Sequence, residues 1–296
     1  MSAVIERSLA AEPPAAGQRE RVARAAHALA AWIASPRPWL ALLGFVLVAG
    51  FWHLAVEVWK LPRFAGMPGL VATWREFTSR DPVYGLSLYT PEYYVHILAS
   101  VRRVAEAFAL ATLLGVPLGL MLGWSRGFRE YVFPVFEMLR PIPILAWVPL
   151  AILMFSGTES PVIFLTFLAS FFATALNTML GVESIDESYV RASRCLGARP
   201  WQVFVHVVVP GALPSIFTGL QISVGVAWFS LVAGEMVSGE AGLGYVINTS
   251  YTNVRYPTIV IGMVTLGAVG YATSALVRLA GRWLMRWRAR EHGDAR

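Results

Sequence analysis

Residues 184–216 read SIDESYVRASRCLGARPWQVFVHVVVPGALPSI, and this stretch indicates how the rest of the chain is organised. Ser184 and Glu187 fit the Ser-x-x-Glu capping box that opens a helix. Gly197 stands where a glycine C-cap belongs, and Pro200 can open the next helix. The stretch therefore predicts a short helix, a glycine turn and a second helix that leads into a long apolar segment.

The short helix carries an apolar stripe. Ile185, Tyr189, Ala192 and Leu196 follow one another at spacings of four, three and four, which places them on one helix face. Such a face suits a helix that lies on a membrane surface. It also suits a rigid helix that docks into a groove on a soluble partner. The residues alone leave both interpretations open.

The composition places this helix in a membrane protein. Of 296 residues, 56% are apolar and only 14% are charged, whereas a soluble domain is about 25% charged. The single cysteine, Cys195, excludes an intrachain disulfide and a cysteine-based zinc site. The single lysine, Lys60, is not part of a phosphate-binding loop. We therefore expect no ATPase site, no cofactor and no metal in this chain.

Six segments have the length and apolar character of membrane spans. The sequence thus predicts an all-α polytopic membrane protein with six transmembrane helices. The third span contains Pro134, Pro141, Pro143 and Pro149, which are expected to break it. The predicted spans are Trp39–Trp59, Val104–Trp124, Tyr131–Phe155, Pro161–Leu180, Leu213–Met236 and Pro257–Leu279.

The distribution of arginine predicts the topology. Basic residues are enriched on the side that holds both chain ends, so both termini are predicted to be cytoplasmic. Residues 1–37 and 286–296 are then cytoplasmic tails, and residues 38–285 form the transmembrane domain with a cytoplasmic loop at 183–210. This count places Arg126, Arg129 and Arg140 inside, and Arg102 and Arg103 outside.

Residues 187–216 resemble the EAA loop of binding-protein-dependent ABC transporter permeases. Gly197 falls on the motif glycine, Ala192 matches the first alanine, and Ser193 replaces the second. Arg191 stands where a glutamate is usual, which reverses a charge. The loop thus keeps the small residues and the turn of the motif but departs from it at one charged position.

The resemblance extends over residues 40–285, roughly, and points to the nitrate/sulfonate/taurine branch of these permeases. It implies a type I importer fold in which the loop contains a coupling helix. It also implies two ATPase subunits that bind ATP, an external or periplasmic solute-binding protein, a second permease copy in a homodimer, and the bacterial inner membrane. The segments that carry it are 100–103, 115–119, 139–143, 146–152, 218–221, 234–236 and 242–245.

Two sets of candidate site residues follow. Those predicted to transmit motion from the ATPase are Glu187, Tyr189, Arg191, Ala192, Ser193, Leu196, Gly197, Ala198 and Trp201. Those predicted to line the translocation pathway are Glu137, Pro141, Pro143, Trp147, Trp228 and Glu235, since charged residues and helix breaks inside a membrane occur where they face a cavity or a neighbouring helix. Simpler interpretations are that the loop arginines only fix topology and that the tryptophans are core residues.

Two other classes of function remain open from the residues. An ion-coupled secondary transporter would need its own ion site at broken helices near the membrane midplane. A polytopic membrane enzyme would need catalytic residues that converge at one membrane face, and the sequence displays no such set. The leading interpretation is a permease subunit that imports a small anion, such as nitrate, a sulfonate or taurine, without its own ATPase.

Overall fold

The computed structural model describes residues 35–64 and 66–285, and every regular element in that part of the chain is helical. The chain divides into two compact units, residues 1–70 and 71–296. In the first unit, α1 spans Pro36–His53, continues as a π-helical turn over Leu54–Val58, and is followed by a 3₁₀ turn over Pro62–Phe64. Nearly all of the predicted tails, residues 1–34 and 286–296, lies outside the described residues.

The second unit contains the remaining helices. Three of them, α3, α6 and α9, are long and pack against one another in its core. The helices are α2 (Leu70–Phe77, which begins at the last residue of the first unit), α3 (Pro91–Trp124), α4 (Arg126–Leu139), α5 (Val148–Met154), α6 (Glu159–Glu183), α7 (Glu187–Cys195), α8 (Pro200–Val203), α9 (Val209–Ser238), α10 (Leu243–Thr252) and α11 (Tyr256–Leu284).

The structure confirms the all-α prediction, and its long helices correspond to the predicted membrane spans. Five described helices are long and apolar enough to cross a membrane, and a bent pair supplies a sixth when it is counted as one span. The fifth predicted span is longer than expected. It runs without interruption from α8 through a π-helical turn at Phe204–Val208 into α9, so Pro210 and Pro214 lie inside it.

The third predicted span is broken, but not at all of its prolines. Pro134 lies inside α4, and the predicted break there is wrong. The break falls between Leu139 and Val148, where a 3₁₀ turn over Ile144–Trp147 follows Pro141 and Pro143, and the two halves meet at 90°. One proline removes a single helical hydrogen bond, whereas two prolines this close remove neighbouring bonds and end the helix.

The second predicted span begins thirteen residues too late. Helix α3 starts at Pro91 instead of Val104, with proline in its first turn. Arg102 and Arg103 are therefore inside a long helix and not in an outer loop. Arg102 bonds to Glu106 one turn on, at 2.7 Å, and Arg103 is enclosed by the bundle. A search for apolar runs misses this helix start because charged residues interrupt the run.

Close packing of α3 on α6 depends on glycine. Gly115, Gly119 and Gly123 repeat every fourth residue and face α6. A Cβ atom at Gly119 would lie 2.6 Å from the Thr178 Cβ, and one at Gly123 would lie 2.5 Å from the Val182 Cβ. Such small-residue faces let helix backbones approach in a membrane, where dispersion contacts drive association. This face holds the two core helices at a fixed distance.

Candidate functional site

Helix α7 is capped at its N-terminus by Asp186. The Asp186 carboxylate accepts a hydrogen bond of 2.8 Å from the backbone N–H of Ser188. The predicted capping box at Ser184 is wrong, because the Ser184 hydroxyl donates to the Gly181 carbonyl at the end of α6. The bond from Ser188 lowers the pKa of Asp186. The cap therefore contributes above the ordinary Asp pKa and is lost as pH falls through the lowered value.

The glycine turn after α7 is confirmed in atomic detail. Gly197 has φ +84°, in the left-handed region. Its N–H donates to the Arg194 carbonyl at 3.0 Å, and the Ala198 N–H donates to the Ser193 carbonyl at 3.1 Å. These two bonds form a Schellman motif, which satisfies the last carbonyls of α7. Pro200 then opens α8, as predicted.

The apolar face of α7 is solvent-exposed. Tyr189 is 64% exposed and Leu196 is 89% exposed, although both are large apolar residues. With Ala192 they line a groove of about 1040 Å³, whose other wall includes His206 and Pro210. An exposed apolar stripe beside a groove, on a helix capped at both ends, presents a defined surface to something outside this chain.

The predicted coupling residues all lie on this one segment, and none is buried. Arg191 and Glu187 face each other one turn apart at 3.9 Å, with both side chains mostly exposed. The Ser193 hydroxyl donates to the Tyr189 carbonyl at 2.8 Å. Trp201 is exposed at the start of α8. The predicted set therefore forms one continuous surface over Glu187–Trp201.

The base of this segment is packed into the bundle. The sequence predicts Ile185 inside the short helix, but α7 begins two residues later, at Glu187. Ile185 instead packs against Gly211, where an added Cβ would lie 3.1 Å from its side chain. The Trp124 ring at the end of α3 lies 5.7 Å from the Phe204 ring in the π-helical turn. Both contacts adjoin a core cluster formed by α3, α6, the π-helical turn and α9, which contains Leu120, Val182, Val208, Ala212, Ile216 and Leu220. The segment thus has a firm connection to the long helices.

A buried ion cluster lies at the opposite end of α3, α6 and α9. Arg103, whose side chain is 2% exposed, donates to Glu235 of α9 at 2.7 Å and to Glu159 of α6 at 2.7 Å. Glu235 is fully buried and also accepts from the Ser100 hydroxyl at 2.8 Å. Paired and hydrogen-bonded in this way, buried Arg103 and Glu235 and half-exposed Glu159 tie three helices together.

The same cluster fixes the turn between α9 and α10. Glu235 accepts a bond of 2.9 Å from the Gly244 N–H, and Arg103 donates to the Ala241 carbonyl. Gly242 has φ +121°, and a Cβ there would collide with the Glu235 carboxylate. Sequence reasoning singled out Glu235 but missed Arg103, since its partners are 56 and 132 residues away.

The predicted pathway residues occupy different environments. Glu137, Pro141 and Pro143 are exposed on the bent third crossing. The Trp147 Nε1 is buried and has no hydrogen-bond partner within the described residues. Trp228 is buried, donates to the Thr273 hydroxyl at 2.8 Å, and borders a groove of about 660 Å³ between α9 and α11. Contact with a solute stays a prediction for each of them.

No group of three or more His, Cys, Asp or Glu side chains in residues 35–64 and 66–285 has the arrangement of a metal site. The histidines of that range include His96, which accepts a bond from the Gly242 N–H at 3.1 Å. The candidate functional features in this part of the chain are the α7 segment, the ion cluster and the bent third crossing.

Comparison with known proteins identifies the family. Residues 115–290 match the family described as "Binding-protein-dependent transport system inner membrane component". A probable ABC transporter permease of Brucella abortus is 39% identical over 194 residues, which cover 66% of this chain and 78% of the relative. The bicarbonate permease CmpB of Synechococcus elongatus is 31% identical and covers 79% and 92%. The nitrate permease NrtB of Synechocystis is 35% identical and covers 60% and 64%.

Solved structures share the fold. The permease chain in inward-facing MetNI methionine ABC transporter crystals has a TM-score of 0.55 at 21% identity, covering 65% of this chain and 94% of that one. A bacterial alginate ABC transporter in complex with its alginate-bound periplasmic protein has a TM-score of 0.53 at 15% identity, covering 86% and 97%. The chain belongs to this family and is the membrane permease subunit of a type I ABC importer, which decides against an ion-coupled secondary transporter.

Proposed function

We propose that this permease imports a small anion that an external binding protein delivers, and that α7 couples it to separate ATPase subunits. The observation that carries the proposal is the exposed apolar face of α7, with Tyr189 and Leu196 open on a helix that is capped at both ends. A lone chain gains nothing from exposing that face, whereas a partner groove would bury it.

Transmission of movement from an ATPase subunit to the membrane helices requires a rigid connection through α7. Asp186 and the Gly197 turn hold the ends of α7, and Ile185 seats its base against Gly211. Movement of a docked partner would then displace the π-helical turn at Phe204–Val208 and the start of α9 instead of bending the loop. Displacement of packed helices as rigid bodies is a common way to convert a local movement into a gate opening.

The proposed solute class rests on the relatives and on the resemblance. Two similar permeases are named for bicarbonate and nitrate, which are both small anions. Sulfonates and taurine enter only through the sequence resemblance. We further propose that the chain lies in the bacterial inner membrane with both termini in the cytoplasm. It would form one half of a homodimer, with ATP bound only by the partner subunits.

Co-purification tests the proposed function. We expect the tagged chain, extracted gently from its own membranes, to bring with it a soluble chain that carries a phosphate-binding loop in equal amount. Mass spectrometry identifies the partner, and ATP-dependent uptake of nitrate or bicarbonate then identifies the solute class. A chain that purifies alone and stable in several detergents would contradict the coupling role of α7.

Arg191 separates docking from topology. Arg191→Glu restores the usual motif residue but places a like charge one turn from Glu187. We expect it to weaken ATPase binding roughly fivefold to tenfold, about twice the effect of one exposed ion pair, measured by titration of the reconstituted complex. Arg194→Glu changes charge equally on the same helix and is the matched control. Unchanged binding would assign Arg191 to topology alone.

A further inference from the structure

Arg140 lies deep along the bundle and not at the inner surface, where the sequence places it. Helix α4 runs beside α6 from the Arg129–Glu183 ion pair to the contact of Phe136 with Phe172, whose ring centroids are 5.1 Å apart. Arg140 is one turn beyond Phe136, at the end of the helix. With a rise of about 1.5 Å per residue, that level is about 10 Å or more from either end of α6.

A second pair of contacts limits the position of Arg140 along α6 from the other direction. After the break, Val148 and Ala151 of α5 pack against Leu165, near the start of α6. Arg140 therefore falls between the level of Phe172 and the level of Leu165. The topology count fails here because it treats an arginine next to a proline-rich break as part of a loop.

The guanidinium of Arg140 is exposed and unpaired among the residues that the structure describes. No carboxylate of that part of the chain lies within ion-pairing distance of it, and its backbone N–H bonds to the Phe136 carbonyl at 3.1 Å. Arg103, the other arginine deep in the bundle, differs completely, since two carboxylates and a carbonyl surround it. Arg103 is held by partners inside the bundle, whereas Arg140 has no side-chain partner among residues 35–64 and 66–285.

Two features indicate that Arg140 faces water and not lipid. An unpaired guanidinium at membrane depth is costly in hydrocarbon and is found facing a bundle interior or a water-filled cavity. Non-helical backbone, as at Pro141 and Pro143, is tolerated at this depth only under the same condition. Glu137 is three residues earlier on the same helix face and is also exposed. A lipid-facing surface would not carry both charges and the break.

We propose that Arg140 forms a binding site for the translocated anion, at the break of the third crossing. The inference rests on the proposed function and deepens it by naming the group that recognises charge. The planar guanidinium offers two parallel N–H donors, a geometry that matches the oxygens of a planar oxyanion such as nitrate or bicarbonate. Glu137 lies three residues earlier on the same exposed face, so its opposite charge partly offsets that of Arg140 without an ion pair between them.

A reporter cysteine tests the proposal without requiring the natural solute. Glu137→Cys is made in a Cys195→Ser background in the full-length chain, assembled with its ATPase in membrane vesicles. It is reacted with two methanethiosulfonates of similar size, one bearing a sulfonate and one a trimethylammonium group. The rates are compared for Arg140, Arg140→Gln and Arg140→Lys, as a fraction of the thiol that reacts after denaturation in detergent.

We expect both reagents to react and the anionic one to be favoured. Arg140→Gln should lower the anion-to-cation rate ratio about tenfold, the effect of removing one charge about 7 Å away in water, and Arg140→Lys should retain it. Arg126→Gln is the matched control at the start of the same helix. Arg126 is about 16 Å from the reporter along the helix. This is beyond the screening length, so the ratio should be unchanged.

Three results would overturn the proposal. If neither reagent reacts, the face of Glu137 and Arg140 is not in water. If the ratio is unchanged by Arg140→Gln, or changes as much with Arg126→Gln, Arg140 does not select for anions. Either failure, in a complex that still hydrolyses ATP and takes up solute, leaves the proposed function standing. A chain without an ATPase partner would instead refute the proposed function.

Discussion

Replacement of Glu235 by alanine is expected to destabilise the bundle by about 3–5 kcal/mol, the cost of leaving one member of a buried ion pair without its partner. Arg103 would keep a single carboxylate partner, Glu159, whose side chain is 54% exposed, and the Ala241 carbonyl. The Gly244 N–H and the Ser100 hydroxyl would lose their acceptor at the same time. The loss is measurable as a shift in the unfolding midpoint of the purified chain, titrated with dodecyl sulfate in mixed micelles.

An exposed ion pair on α3, the helix that carries Arg103, offers a matched control. Glu106 pairs with Arg102 on the surface of α3 at 2.7 Å, with both side chains exposed. Glu106→Ala should leave the midpoint unchanged, because exposed pairs contribute little. The double variant Arg103→Ala and Glu235→Ala should lose less than the two single losses added together, since the residues are coupled. Equal midpoints for Glu235→Ala and Glu106→Ala would contradict the structural role of the cluster.

Substitution of Gly197 is expected to uncouple ATP hydrolysis from uptake while the chain still inserts and assembles. A Cβ at Gly197 meets no atom within 4 Å, so the effect arises from its φ of +84° alone. A non-glycine residue in that conformation is strained by about 1–2 kcal/mol, and the turn that ends α7 would shift. Uptake per ATP hydrolysed, measured in vesicles, should therefore fall in the order glycine, asparagine, alanine, valine, since asparagine tolerates this region best. Gly197→Asp adds a charge at the turn and should also uncouple.

Gly127 supplies the control for that series. It also has open space around its Cβ position, but it lies in the first turn of α4 with an ordinary helical φ. Gly127→Ala should leave the ratio of uptake to hydrolysis unchanged. Full coupling in Gly197→Val would show that the turn does not transmit movement, and the coupling role of α7 would then be wrong.

The sequence predicts those parts of the structure that depend on local signals. The glycine turn at Gly197, the helix start at Pro200 and the long apolar helices all follow from neighbouring residues. The sequence does not predict the N-cap of α7 correctly, because Ser184 and Asp186 both precede the helix at distances that suit a cap. The Ser184 hydroxyl donates to the Gly181 carbonyl at the end of α6 and so does not cap α7. The Ser-x-x-Glu pattern alone does not show this alternative bond.

The charges inside the bundle could not be predicted, for a different reason. Arg103 and Arg140 both interrupt or adjoin apolar runs, and a search for spans assigns such residues to loops. Their environments depend on partners far along the chain: Arg103 meets Glu159 and Glu235, whereas Arg140 meets no carboxylate in the described residues. An arginine next to an apolar run can therefore be either structural, as Arg103 is, or a candidate functional residue, as Arg140 is. Only the packing of the helices distinguishes the two cases.

Cys195 allows the most direct test of the claim that α7 couples this permease to an ATPase. It is the single cysteine of the chain and is exposed on α7, so a thiol-directed photo-crosslinker attached there in native membranes samples whatever contacts that helix. Cys195→Ser with Val264→Cys, an exposed position in the first third of α11, moves the same probe away. We predict that mass spectrometry will find a chain with a phosphate-binding loop crosslinked to Cys195 and not to the cysteine of the Val264→Cys variant. Crosslinks from Cys195 to lipid alone would contradict it.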